Sequence, residues 1–333
     1  MKYGYYPGCS LERNAAAYDL STRAVAQALG VGLDELDDWN CCGATEYIAI
    51  NKLAAYALVG RNLALAQKQW HTAPNNGHTL EGRVQLVAPC SACFLNLRKA
   101  DRYLEEDAYL REKTNEALAA GGLHYDPGTV LVRHLLDVFV NDIGFDTLKR
   151  HVTKPLTGLR VAPYYGCLIT RPRLGGELSE TEYPLELDDL LKVLGAEAVD
   201  FPLKTHCCGG HMTQISTDVA YELIRRLLQN ASDYHADALV TLCPMCQLNL
   251  DAYQTRVNQH CGTNFHMPIL YFTQLMGLAF GLEPKELGFG KEIVSAQAAL
   301  EKIGRTPAAE MAPAAHGPRK KDEGLPMPRM VGK

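Results

Sequence analysis

The sequence predicts an α/β protein of two similar, duplicated lobes, each a small and mostly parallel sheet flanked by helices, with cysteines at the carboxyl ends of the strands. Three observations carry this. A five-cysteine pattern occurs twice, as Cys9, Cys41, Cys42, Cys90, Cys93 and then Cys167, Cys207, Cys208, Cys243, Cys246. Short apolar runs alternate with stretches of helical periodicity in both halves, as in βαβ units. The chain has 333 residues, enough for two cores of ordinary domain size without disulfides.

The duplication reaches beyond the cysteines. Tyr5-Tyr6-Pro7-Gly8-Cys9 echoes Tyr164-Tyr165-Gly166-Cys167, and Cys41-Cys42-Gly43-Ala44 echoes Cys207-Cys208-Gly209-Gly210. The longest match sets Cys90-Ser91-Ala92-Cys93-Phe94-Leu95-Asn96-Leu97 against Cys243-Pro244-Met245-Cys246-Gln247-Leu248-Asn249-Leu250. A repeat of about 155 residues is too long for a solenoid and fits two whole lobes.

In the first lobe, residues 2–6 and 84–88 read as short buried strands, and 15–29, 46–69 and 92–118 carry helical periodicity. In the second, 159–164, 196–201 and 238–242 read as strands, with helices over 183–194, 212–234 and 247–260. Residues 125–151 supply one or two connecting helices. The polar stretch 72–82, containing Pro74-Asn75-Asn76-Gly77, makes the spacing from Cys42 to Cys90 longer than that from Cys208 to Cys243. From about Pro307 the chain is rich in Pro, Ala, Gly, Lys and Arg and reads as a disordered or partner-docking arm. The expected division is 1–150 for the first lobe and its connecting helices, 151–290 for the second, and 291–333 for the tail.

Cys9, Cys90, Cys167 and Cys243 each follow a strand closely, and the vicinal pairs follow the middle segments. Open α/β sheets gather ligands at the carboxyl ends of their strands, so each set is expected to converge on one sheet edge. Cys93 and Cys246 fall in the first turn of a helix, where the helix field favours a thiolate.

Composition excludes several classes. Lys and Arg total 33 against 38 Asp and Glu, a formal charge of −5, which leaves no nucleic-acid footprint and no membrane-surface attraction. No window approaches roughly 18 uncharged apolar residues, so no membrane span is expected. The N-terminus has no apolar leader, so the expected location is cytoplasmic, where thiols stay reduced and clustered cysteines serve as metal ligands or redox groups.

A lone Cys-x-x-Cys is a zinc half-site, a thioredoxin-like pair or an accident. A dithiol leaves the Cys-Cys-Gly pairs unexplained, and tetrahedral zinc takes four ligands, leaving one thiol spare. Ordinary two-iron and four-iron clusters leave the same remainder. Five thiolates suit a more open cluster with more terminal iron positions. Vicinal cysteines then reach neighbouring irons, and Gly43 or Gly209 lets the backbone approach closely.

The doubled Cys, Cys-Cys-Gly, Cys-x-x-Cys pattern resembles the CCG-domain family and, over about residues 1–290, the B subunit of heterodisulfide reductase. The stretch Leu282-Glu283-Pro284-Lys285-Glu286-Leu287-Gly288 adds to the resemblance. It implies that each set of five cysteines holds a noncubane [4Fe-4S] cluster and that two clusters facing a shared cavity each deliver one electron to a disulfide. It also implies partners, a ferredoxin-like C subunit and a flavoprotein A subunit, and a disulfide or lipoate-bound sulfur as substrate. The sequence has no Cys-x-x-Cys-x-x-Cys run and no Gly-x-Gly-x-x-Gly, so electrons are expected to pass through such partners. The basic Pro/Ala-rich tail leans toward the sulfur-oxidising branch. Two other readings stay open: an electron-transfer iron–sulfur subunit of a hydroxy-acid oxidising complex, and a scaffold with zinc on four of each five cysteines.

His206 and His211 flank the second vicinal pair and are the candidate proton donors to a leaving thiolate, or else ordinary structural histidines. The corresponding first-lobe residues, Asn40 and Tyr47, are not histidines, which makes proton delivery one-sided. The Tyr5, Tyr6, Tyr164 and Tyr165 pairs read as core or as cavity lining. Lys204, Arg171 and Arg173 read as solvated surface, and Cys261 as a buried structural thiol.

Overall fold

The computed structural model describes residues 1–43, 47–71, 77–174 and 178–305. The predicted tail from Pro307, and 72–76 of the polar stretch, lie outside the described residues. The first half runs β1 (Lys2–Tyr5), α1 (Ala16–Ala28), β2 (Gly32–Glu35), α2 (Tyr47–Ile50), α3 (Lys52–Ala66), β3 (Thr79–Leu80), β4 (Arg83–Ala88), α4 (Ser91–Glu106), α5 (Ala108–Ala119), β5 (Val130–His134), α6 (Leu135–Asp137) and α7 (Phe145–His151). Two π-helical segments, Gln67–His71 and Val138–Ile143, extend α3 and α6. The second runs β6 (Arg160–Tyr164), α8 (Glu186–Val193), β7 (Glu197–Ala198), α9 (Met212–Ile215), α10 (Thr217–Asp233), β8 (Ala238–Thr241), α11 (Pro244–Ala252), α12 (Gln254–Cys261), β9 (Ile269–Tyr271), α13 (Phe272–Ala279) and α14 (Gln297–Leu300).

The two sheets share one topology. The first has parallel strands in the order β2-β1-β4-β5, with β3 pairing antiparallel at the start of β4. The second is β7-β6-β8-β9, all parallel. Ala88 pairs with His134 in the first sheet and Thr241 with Tyr271 in the second, so His134 and Tyr271 occupy equivalent positions.

Several elements differ from the sequence reading. The helix expected over 92–118 is two helices, because Asp107 leaves helical geometry at φ −114°, ψ 100° and its carboxylate caps the Leu110 N–H. Asn51 divides 46–69 in the same way by accepting from the Ala54 N–H, and Ser216, with almost the same φ and ψ, divides 212–234. Residues 125–151 contain the strand β5 as well as helices. The edge strands β2 and β9 and the helix α13 were not expected.

The lobes are not independent. One apolar core runs through both. α1 packs on α13, where Tyr18 stacks on Tyr271 at 4.3 Å and Ser21 Oγ lies 2.6 Å from Thr273 Oγ1. The mirror contact is α7 against α8. The 282–288 stretch closes the seam: at φ +74° a side chain on Gly288 would lie 2.7 Å from the Ala17 backbone.

Candidate metal centre

Each cysteine sits where the strand endings put it. Cys9 and Cys167 follow β1 and β6, Cys90 and Cys243 follow β4 and β8 as the residues before α4 and α11, and Cys93 and Cys246 lie in the first turns of those helices. β1/β4 and β6/β8 are the neighbours at which strand order reverses, so both sets lie at topological switch points.

The ten sulfurs form one continuous string across both lobes. Cys9 Sγ is 3.5 Å from Cys41 Sγ, Cys41 contacts Cys42, and Cys42 Sγ is 3.3 Å from Cys93 Sγ. Cys93 contacts Cys90, Cys90 contacts Cys243 of the other lobe, and the order then reverses through Cys246, Cys208, Cys207 and Cys167. The outer ends are open, with Cys9 and Cys41 exposed and Cys167 and Cys207 half-buried; the other six thiols are buried.

Repeated supports hold the string. Tyr6 OH donates to the Asn40 carbonyl at 2.7 Å and Tyr164 OH to the His206 carbonyl at 2.7 Å, fixing the residue before each vicinal pair. The Asn96 amide donates to the Cys42 carbonyl at 3.0 Å, and the Asn249 amide to the Cys208 and Gly210 carbonyls at 3.2 and 2.8 Å. The close backbone approach occurs at Gly8 and Gly166. Both have positive φ, and an added Cβ would lie 2.8 Å from Cys93 Sγ or 3.1 Å from Cys246 Sγ. Gly43 and Gly209, expected in that role, also have positive φ, and the Gly209 N–H lies 3.3 Å from Cys207 Sγ.

Contacts among the thiols favour the thiolate at the first cysteine of each vicinal pair and at Cys243. Contacts with Cys42 and Cys9, against the effect of burial, push Cys41 down to about 2. Those with Cys167 and Cys208 push Cys207 down to about 3, helped by the Gly209 N–H at 3.3 Å. Among the described residues, no three His, Cys, Asp or Glu side chains gather around a single ion position.

The other candidates fall differently. His206 is exposed and His211 half-buried, and both stay beside the second pair. Lys204 is fully buried, with Nζ 2.5 Å from Asp188 Oδ1 and over the Tyr183 ring, so it is not surface. Arg171 pairs with Glu182. Cys261 is half-buried rather than buried. All four tyrosines of the two pairs are buried, with hydroxyls on Asp19 (Tyr5), Asn40, His206 and Asp188 (Tyr165). Cys9 and Cys41 open on a cleft of about 470 Å³ lined by Glu12, Glu35, Asp37, Asp38 and Trp39. Between the lobes, Phe94 and Leu95 face Leu168 and Ile169 across a cavity of only about 10 Å³.

Asn96 and Asn249 occupy the same place in the repeated Cys-x-x-Cys-x-Leu-Asn-Leu, a signal visible in the sequence. Tyr18 and His134 lie outside every repeated motif.

The cysteine-rich (CCG) domain family matches residues 3–98 and again 161–251. The chain is 32% identical over 295 residues, 89% of this chain and 98% of the relative, to the 8-methylmenaquinol:fumarate reductase membrane anchor subunit of Wolinella succinogenes. It is 30% identical over 305 residues, 91% of this chain and 97% of the relative, to the B subunit of the ferredoxin/F420H2-dependent CoB-CoM heterodisulfide reductase of Methanosarcina acetivorans. An Archaeoglobus profundus protein named as resembling the heterodisulfide reductase B subunit is 28% identical, covering 86% of this chain and 93% of the relative. A hypothetical protein from Helicobacter pylori shares the fold with TM-score 0.66 at 15% identity, over 88% of this chain and 52% of that one. No helix among the described residues is long and apolar enough to cross a membrane. The chain belongs to the duplicated cysteine-rich CCG-domain family that includes the B subunit of heterodisulfide reductase.

Proposed function

We propose that the chain is an iron–sulfur redox subunit of a heterodisulfide reductase-like complex that makes or breaks sulfur–sulfur bonds. Cys9, Cys41, Cys42, Cys90 and Cys93 would hold one noncubane four-iron cluster, and Cys167, Cys207, Cys208, Cys243 and Cys246 the other. The observation that carries the reading is the donor set: two groups of five thiols in the same order, with the same tyrosine, asparagine and glycine supports. Five thiols per set exceed the four ligands of tetrahedral zinc, which supports ligands shared among several metal ions.

Bound clusters would supply one-electron exchange with sulfur. The chain's own part is to hold the thiolates, keep water from the six buried ones and present an open end in each lobe. His206 and His211, beside the second open end, would deliver protons to a released thiolate. Ferredoxin-like and flavoprotein partners would carry the electrons, in the cytoplasm.

The test is anaerobic purification followed by metal analysis and disulfide addition. About eight irons with matching acid-labile sulfide are expected, with a spectral change on adding a thiol disulfide. About two zinc ions and no iron would end the reading. A second reading has its own support in the Wolinella relative, whose name places this fold in a quinol–fumarate reductase. The chain would then only transfer electrons, and a full complement of iron whose spectra ignore disulfides would favour it.

A further inference from the structure

The buried ends of the two cysteine sets meet at a seam built from polar groups. Cys90 and Cys243 touch there, 5% and 2% exposed. Tyr18 OH reaches the Pro89 carbonyl at 3.0 Å and the Leu242 carbonyl at 3.4 Å, the residues immediately before those two cysteines. One hydroxyl therefore spans both lobes. Ser91 Oγ crosses the seam to the same Leu242 carbonyl at 3.5 Å.

His134, fully buried, joins the seam through Ser91. Its Nδ1 accepts the Leu136 N–H at 3.1 Å, which leaves the proton on Nε2, 3.5 Å from Ser91 Oγ. Tyr18 is held in place by its stack on Tyr271. The tyrosine thus reaches the backbone that carries both Cys90 and Cys243, and the histidine reaches it through Ser91.

Ordering this network costs side-chain entropy and desolvation, and an apolar seam would join the lobes as firmly. What hydrogen bonds add is a defined distance between two groups. We propose that Tyr18 is a positioning residue that sets the Cys90–Cys243 contact and so makes the two cysteine sets one electronically coupled unit. This rests on the iron–sulfur reading above. Two sets joined in this way share electrons before either meets a substrate, as a two-electron cleavage of a sulfur–sulfur bond needs: one bond breaks, and two electrons and two protons give two thiols.

The experiment reads coupling, not turnover. The anaerobic holoprotein is reduced stepwise and followed by electron paramagnetic resonance, alongside Tyr18→Phe, Ser91→Ala and Tyr125→Phe. Tyr125 is buried with its hydroxyl on Asp101, away from the seam, and controls for loss of a buried hydroxyl. The expected result is a fully reduced spectrum split or broadened by spin–spin interaction. Tyr18→Phe should lower the splitting by half or more at unchanged iron content, Ser91→Ala should lower it less, and Tyr125→Phe should leave it alone. A parent spectrum that is the plain sum of two isolated centres overturns the proposal, as does an equal change in Tyr18→Phe and Tyr125→Phe. If Tyr18→Phe does not fold, the parent spectrum and Ser91→Ala still decide. Absence of iron from the parent overturns the iron–sulfur reading as well, which separates the two failures.

Discussion

Replacing Asn249 by alanine removes both donors that tie α11 to the second vicinal pair, at 3.2 Å to the Cys208 carbonyl and 2.8 Å to the Gly210 carbonyl. Asn249 is 3% exposed and Cys208 3%, so water does not replace the lost bonds. A lost buried hydrogen bond costs about 1 kcal/mol, and leaving its acceptor unsatisfied raises that toward about 2 kcal/mol, so the two together should cost about 2–4 kcal/mol. At about 2–4 °C per kcal/mol for a chain of this kind, the melting temperature should fall by roughly 5–15 °C. The first lobe supplies the comparison. Asn96 reaches one carbonyl, at 3.0 Å, and is only half-buried, so Asn96→Ala should cost about 1–2 kcal/mol. Asn249→Asp should be worse than alanine, because a carboxylate would face two carbonyl oxygens without a donor. The assay is anaerobic thermal melting with iron release followed in parallel. Equal shifts for Asn96→Ala and Asn249→Ala, or an Asn249→Asp variant as stable as the parent, would refute the reasoning.

Gly8→Ala should loosen metal retention in the first lobe more than Gly166→Ala does in the second, since the added Cβ meets sulfur at 2.8 rather than 3.1 Å; iron release from each variant measures it. Lys204→Met should cost about 3–5 kcal/mol by stranding the Asp188 carboxylate, and adding Asp188→Asn should return part of that in a denaturation series. Burial raises the Asp142 carboxyl, but the Arg133 guanidinium and the Tyr3 hydroxyl outweigh it and hold the pKa below the usual value. Its stabilisation is therefore present above the ordinary carboxyl pKa and lost as pH falls through the folded-state value. Asp142→Asn should lose about 1–3 kcal/mol near pH 7 and converge on the parent in acid, as urea melts across pH would show.

The duplicated lobes and the cysteine placement were legible because buried parallel strands are written as mostly apolar runs, as in Val84–Ala88, Val161–Tyr164 and Ala238–Thr241. β2 was not, because Gly32–Glu35 is a half-exposed edge strand rich in acids. β5 merges into the apolar residues of α6, so strand and helix read as one segment. Asn51, Asp107 and Ser216 could have been read as caps dividing long helices, since each is a residue type favoured at that position. The roles of Tyr18 and His134 had no local signal. They depend on which surfaces of the lobes meet, and a repeat in the sequence does not state that.

The way the lobes meet explains why the sulfur string reverses at its middle. The helix after β1 packs on the helix after β9, and the helix after β6 on α7, which follows β5, so the two halves exchange equivalent contacts as in a two-fold dimer. Such an arrangement brings like parts together, and Cys90 meets Cys243. Residues then divide by reach. Asn96, Tyr6 and Gly8 act on one set, and Asn249, Tyr164 and Gly166 on the other. Tyr18 touches the backbone of both, so substitution there must disturb the two sets together. A duplication joined through any other pair of faces would have left two separate five-thiol sites and no residue with that double reach.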